Sequence, residues 1–173
     1  MENELLLRDV LSDDLPIFFE QQLDQEANYM AAFTAKDPTD QEAFIAHWHK
    51  ILGTDTCIIK TIIFNRQVVG SVSSYEEEGK PEVTYWLGRE YWGKGIATWA
   101  VKELLVGHNK KRPMYARVAK DNPGSRRVLE KCGFKMIGES KGFANARGQE
   151  IEEILLELEA IQTDEMGYLH PSY

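Results

Sequence analysis

Cysteine is nearly absent: the 173-residue chain has two, Cys57 and Cys132. They stand far apart and in no metal-ligand or redox spacing, which argues against a disulfide framework and a zinc site and leaves both expected as buried, small apolar residues. Long apolar runs are also missing, so no membrane-spanning helix and no membrane partner are expected. The acidic start Met1-Glu2-Asn3-Glu4, followed by only three leucines, fits no signal peptide, and a soluble, cytoplasmic protein is expected. Positive charge is in deficit, with 20 Lys and Arg against 28 Asp and Glu and a formal net charge of -8. A surface of that sign repels phosphate backbones, argues against nucleic acid and suits an amine-bearing partner. Histidines number four, and His47 and His49, two apart on a helix, share no face; they are read as structural, with no metal.

What is present is a chain with 43% hydrophobic residues, enough for one domain over residues 1–173 with a core from about 5 to 158 and an irregular tail over 159–173. Leu5 to Arg8 reads as a strand, and Ser12-Asp13 as the cap of a helix carrying Leu15, Phe18, Phe19 and Leu23. Thr39 and Glu42 have capping-box spacing ahead of a helix with Phe44, Trp48, Ile51 and Leu52, which Gly53 ends. Cys57 to Phe64 and Gln67 to Val72 form a hairpin about Asn65-Arg66. A turn through Glu76 to Lys80, read as a solvated loop, leads to a third strand over Val83 to Leu87. Helical spacing of Ile96, Ala100 and Leu104 marks the best helix. Met114 to Val118 is a strand, Asn122-Pro123 opens a helix that Gly133 follows, and Phe134 restarts a strand. Gln149 to Leu158 has the composition of a helix and the alternation of a strand.

The chemistry-bearing segment runs from the strand ending near Leu87 through Gly88-Arg89-Glu90-Tyr91-Trp92-Gly93-Lys94-Gly95 into the best helix. Strand, glycine-rich turn and helix make a phosphate cradle, because glycines admit an anion close to the backbone and the helix N-terminus presents free N–H groups to it. Lys94 and Arg89 add positive charge. A nucleotide-hydrolase P-loop fails at Gly95, where a magnesium-binding hydroxyl is needed. An ordinary turn whose glycines only relieve backbone strain remains open at this point.

A second segment, Asn122-Pro123-Gly124-Ser125-Arg126-Arg127-Val128-Leu129-Glu130-Lys131-Cys132-Gly133-Phe134, joins Trp86 to Ala97 in a specific likeness. Together they resemble the GNAT superfamily of N-acetyltransferases, in the branch that includes the ribosomal-protein-alanine N-acetyltransferases. The resemblance implies an α/β (α+β) fold with a mostly antiparallel, twisted sheet of about seven strands flanked by helices and splayed at a cofactor cleft. It also makes Ile151 to Leu158 a strand. The family motif [QR]-x-x-G-x-[GA] falls on Trp92, Gly95 and Ala97, with Trp92 departing from the pattern. By this likeness acetyl-CoA is the co-substrate, with its pyrophosphate on the backbone from Gly93 through Lys94, Gly95 and Ile96 to Ala97 and on the Thr98 hydroxyl. The pantetheine arm would meet the backbone at Trp86 and Leu87, the Asn122 side chain and Ser125.

The implied reaction is acetyl transfer to a primary amine, either a protein N-terminus or a small molecule such as a polyamine, amino acid or aminoglycoside, by direct attack in a ternary complex. It needs a neutral amine, a positioned thioester and stabilisation of the oxyanion. The family assigns oxyanion stabilisation to the Leu87 amide, and places a base near Glu82, for which an exposed strand-end charge is the alternative. The tyrosine acid of many relatives falls on Leu129, so Ser125 is the candidate proton donor. Tyr29, Phe33 and Trp48 lie where the superfamily builds its acceptor pocket, but are read as core. The rival reading is a non-catalytic acyl-CoA-binding or sensing domain. The likeness leaves room for a homodimer.

Overall fold

A computed structural model describes residues 3–160, 162–163 and 169–170. Strand β1 (Leu5–Asp9) leads through a short 3-10 turn into α1 (Leu15–Gln22), α2 (Gln25–Ala31) and α3 (Gln41–Leu52). Strands β2 (Ile58–Phe64), β3 (Gln67–Glu77) and β4 (Lys80–Leu87) follow as an antiparallel meander. Then come α4 (Ile96–Gly107), β5 (Met114–Ala119), α5 (Pro123–Lys131), β6 (Lys135–Ala144) and β7 (Gln149–Leu158). Among the described residues these strands form one seven-stranded sheet in the order β1-β2-β3-β4-β5-β7-β6. The tail expectation falls partly outside the described residues; within it β8 (Gln162–Thr163) pairs with β9 (Leu169–His170).

Local chemistry accounts for the element ends, with some corrections. Asn65 and Arg66 both take positive φ, which fits the two-residue turn of the first hairpin. The second turn is tighter than expected: Glu76 and Glu77 belong to β3, and only Glu78 and Gly79, both at positive φ, make the bend. Helix α3 is capped by Asp40, whose side chain accepts from Ala43 N at 3.0 Å, one residue past the expected Thr39. Thr39 instead bonds Asp37 Oδ1. At the first helix no Ser12 cap forms; Asp14 is buried and accepts from the two terminal nitrogens of the Arg8 guanidinium, from Leu11 N and from Thr61 Oγ1. Strand β7 is held on both sides, by β5 and β6, so pairing decides the element that composition left open.

The main core lies between the sheet and α4, where Ile96, Ala100, Val101, Leu104 and Leu105 meet Val69, Val72, Val83 and Leu87. Leu129 and Phe134 of the α5 segment join it. The opposite face carries a smaller cluster of Leu15, Phe18 and Phe44 with Trp48 and Val68 packed against it. Strand alternation therefore sends Val83 and Leu87 to the α4 side, and Glu82 and Trp86 to the side of the N-terminal helices.

Candidate functional site

The sheet opens at one place. Strands β4 and β5 run parallel and pair at a single bridge, Glu82 with Tyr115. Beyond it toward Leu87 and Ala119 the described strands have no further pairing. Each strand leads into a helix, so the N-termini of α4 and α5 flank the carboxyl-terminal mouth of the gap. That is the end of a parallel strand pair at which open sheets bind ligands.

Register sets which backbone groups face the gap. Gly88 N donates to Val69 O at 2.9 Å, and the Trp86 carbonyl faces β3, where it would stand 2.1 Å from a Cβ at Gly70. Antiparallel alternation then turns the Leu87 N–H and C=O away from β3, toward the gap. Of the two residues named from sequence, Leu87 thus offers its amide to a ligand, while the Trp86 backbone is engaged with β3. Val69, whose carbonyl takes Gly88 N, is the extra residue of a β-bulge between Val68 and Gly70. Its carbonyl also accepts from Gln21 Nε2 at 3.0 Å, so the bulge ties α1 to the end of β4.

The turn after β4 fits an anion. Gly93 and Gly95 have φ of 75° and 80°, and a Cβ at either would meet nothing within 4 Å. Gly95 is the N-cap of α4 and no side chain caps that helix, which leaves its first-turn amides at Ile96, Ala97 and Thr98 for a ligand. Trp92, the departure from the family pattern, has a definite role: its indole Nε1 donates to Leu87 O at 2.8 Å and pins the turn to the strand end. Lys94 is exposed. Arg89 does not serve the turn, because its guanidinium pairs with Asp24 at 2.9 Å and with Glu26 of α2.

Across the gap, Asn122 caps α5 by accepting from Ser125 N at 3.2 Å and donates from Nδ2 to Met30 O at 3.1 Å. Its amide is thus committed at both ends, to the cap and to α2. Ser125 Oγ accepts from Tyr85 O–H at 3.1 Å, a contact between β4 and α5 that sequence reasoning missed. Burial raises the Tyr85 pKa, which keeps its proton in place as a donor. Leu129 is core. Cys132 is half-buried rather than buried; its Sγ donates weakly to Thr98 O, and burial pushes the thiol up to about 11, which keeps it unreactive. Cys57 is half-buried as well.

Glu82 stands at the apex of the splay and is 5% exposed, which removes the exposed strand-end alternative. Each carboxylate oxygen accepts a hydrogen bond: Arg117 Nε donates to Oε1 at 2.9 Å and the Tyr75 hydroxyl to Oε2 at 2.7 Å. Desolvation and this carboxylate push the Tyr75 phenol above its usual range, so it remains a donor.

On the other face of the sheet a cavity of about 490 Å³ lies under the N-terminal helices, and Trp86 with its cross-strand partner Ser71 forms part of its lining. Phe18, Phe33, Phe44 and Trp48 supply the aromatic wall. The core expectation for Tyr29 and Phe33 does not hold. Tyr29 is 52% exposed beneath the Arg147 guanidinium, and Phe33 is 38% exposed at the cavity. Trp48 is half-buried and stacks on Phe18 with ring centroids 5.0 Å apart. His47 is exposed and lines the same cavity, and His49 is exposed. Among the described residues no cluster of three or more His, Cys, Asp or Glu is placed to hold a metal ion, and no helix is long and apolar enough to cross a membrane.

Comparison with known proteins agrees with this fold. A curated relative, the uncharacterized N-acetyltransferase p20 of Bacillus licheniformis, is 32% identical over 87 residues. The match covers 48% of this chain and 48% of that protein, so the chain spans about half the length of the curated relative it matches. Among solved structures, the fold is similar to that of the RimL ribosomal L7/L12 alpha-N-protein acetyltransferase in its apo form, with TM-score 0.76, 18% identity and coverage of 90% of each chain. It is also similar to the microcin C7 self-immunity acetyltransferase MccE, solved with acetyl-CoA and AMP, at TM-score 0.74 and 18% identity over 91% of this chain and 93% of that one. Residues 4–135 match the acetyltransferase (GNAT) domain, and this chain belongs to that family.

Proposed function

We propose that the protein transfers the acetyl group of acetyl-CoA to the nitrogen of a primary amine. The observation that carries this is the junction of two features: a strand end whose Leu87 amide faces the β4–β5 gap, and, just beyond it, an uncapped helix start with two open, positive-φ glycines. Acetyl-CoA supplies the activated acetyl group when bound. The amides from Gly93 to Ala97, with the Thr98 hydroxyl and the Lys94 charge, hold its pyrophosphate. The Leu87 N–H donates to the thioester carbonyl oxygen. Nitrogen–carbon bond formation accompanies loss of the carbon–sulfur bond; the nitrogen gives up a proton and the sulfur leaves as thiolate or thiol.

Ser125 is the proton donor in this reading. Because its oxygen accepts from Tyr85, its own hydrogen is directed elsewhere, and Tyr85 acts as a positioning residue. Glu82, the candidate base from sequence, has a holding role in this reading. It accepts from Arg117 and Tyr75 and fixes the apex of the gap, while solvent takes the amine proton. The proposal places the protein in the cytoplasm, where acetyl-CoA is available.

Release of free thiol from acetyl-CoA, measured across a panel of amines, tests the function. Amine-dependent thiol release is expected. Binding of coenzyme A without turnover of any amine would instead favour a sensing domain.

A further inference from the structure

The chain leaves α2 through a strained turn. Ala32 takes φ 66° and ψ -57°, and Phe33 N donates to Ala31 O at 2.7 Å, a γ-turn of the rare, strained hand. Such a backbone persists only where its surroundings over-determine it, and here they do. The Ala32 methyl is buried against Ala119 and Ala144. Carbonyls on both sides of the turn are held from the start of α5 and from the turn between β6 and β7. Met30 O accepts from Asn122 Nδ2 at 3.1 Å, Tyr29 O from Arg147 Nε at 2.7 Å, Ala32 O from Ala146 N at 3.2 Å and Thr34 O from Asn145 Nδ2 at 2.7 Å.

What this framework holds in place is the Phe33 side chain. One edge of its ring rests on β6, where a Cβ at Gly142 would stand 3.3 Å from Phe33 Cε1. The rest is open: Phe33 is 38% exposed and lines the cavity under the N-terminal helices. Phe18, Phe44 and Trp48 of the same cavity pack on one another, whereas among the described residues Phe33 meets no other ring. A held backbone that keeps an apolar ring uncovered gains nothing within the fold, and an apolar occupant of the cavity would take that surface out of water. Among the described lining residues none is Lys or Arg, and Asp37 and Asp40 are exposed, so the charge at the cavity suits a cation. An aryl group offers the flat or edge-on partner that ring pairs favour, and unlike a polyamine it brings no second ammonium for the apolar wall to desolvate.

We propose that Phe33 determines acceptor specificity: it is the preorganised contact for an aromatic ring carried by a primary amine, and the turn at Ala32 keeps it in place. This rests on the functional reading above and adds the acceptor class to it.

The test measures kcat/KM, by thiol release from the full chain, for two pairs that differ by one phenyl ring, propylamine with 3-phenylpropylamine and alaninamide with phenylalaninamide, and for spermidine. Calorimetry with coenzyme A and urea midpoints run beside it. The ring is expected to raise kcat/KM about tenfold within a pair, mainly through KM. Phe33→Ala should remove most of that ratio, and Phe33→Tyr, which keeps the ring, should retain it. Gly142→Ala lies outside the cavity lining, yet its Cβ must shift the Phe33 ring by a few tenths of an ångström. It should lower the ratio about threefold with little change in urea midpoint. A ratio near one in the wild type, a ratio that survives Phe33→Ala, or best use of spermidine would overturn the assignment and leave acetyl transfer standing. So would a Phe33→Ala variant that loses ringed and ringless amines alike, the mark of a merely structural residue. Coenzyme A binding with no amine turned over would overturn the functional reading and this assignment together.

Discussion

Gly70 on β3 lies directly against the Trp86 carbonyl of β4, so close that a Cβ would sit 2.1 Å from that oxygen and 3.0 Å from Leu87 Cα. The strand end that presents Leu87 to the gap is therefore set by the absence of a side chain one strand away. Gly70→Ala must push β3 and β4 apart, and should cost about 2–4 kcal/mol, as overpacking of a rigid core does. Urea denaturation followed by circular dichroism measures this, with Gly138→Ala, where a Cβ meets nothing within 4 Å, as the comparison expected to change little.

Asp14 gives the fold an acid-sensitive anchor. Burial by itself raises its pKa, but bonds from Arg8, Leu11 N and Thr61 outweigh that, and the net shift is downward. A depressed folded pKa stabilises above the unfolded value, about 3.9, and that stabilisation is lost as pH falls through the lower folded value. Asp14→Asn should lose about 2–4 kcal/mol at pH 7, since it leaves Arg8 unpaired, and should show a flatter stability curve below pH 4. Denaturant midpoints measured from pH 7 down to pH 2 check both.

Glu82 separates a structural carboxylate from a proton acceptor. Glu82→Gln should lower stability by about 1–3 kcal/mol through its weakened bonds to Arg117 and Tyr75. The acid limb of the kcat/KM profile should persist in this variant. Its disappearance would show that Glu82 titrates in the reaction after all.

Tyr85 and Ser125 should act as one unit. Ser125→Ala is expected to lower kcat about tenfold, at the weak end of general-acid effects because thiolate leaves readily. Tyr85→Phe should lower it less, and should add nothing in the Ser125→Ala background, since it acts through that hydroxyl. Steady-state rates of the two single variants and the double variant decide this.

The parts of the fold written in local chemistry were legible from the chain alone. Asn65-Arg66, Gly93 and Gly95, and Asn122-Pro123 each announce their turn or cap through the backbone conformation they allow. What could not be read depends on partners distant in sequence. The charge of Arg89 goes to α2 and not to the adjacent turn. Tyr29 and Phe33 look like core residues by type, yet the structure leaves them exposed. The cavity depends on Ser71 facing Trp86 across β3 and β4, and on a bulge at Val69 that composition does not mark. The contact between Tyr85 and Ser125 spans 40 residues, and its one sequence signal is an odd-numbered aromatic on the α5-facing side of β4.

The central claim is that the turn from Gly93 to Ala97 holds a diphosphate by its main-chain amides, and isothermal calorimetry with coenzyme A tests it most directly. One coenzyme A per chain should bind, and Gly95→Val, which cannot take a φ of 80° without strain, should weaken the affinity at least tenfold in a protein that remains folded. Folded wild-type protein that takes up no coenzyme A, or a Gly95→Val variant that binds it as tightly as the wild type, would contradict the account.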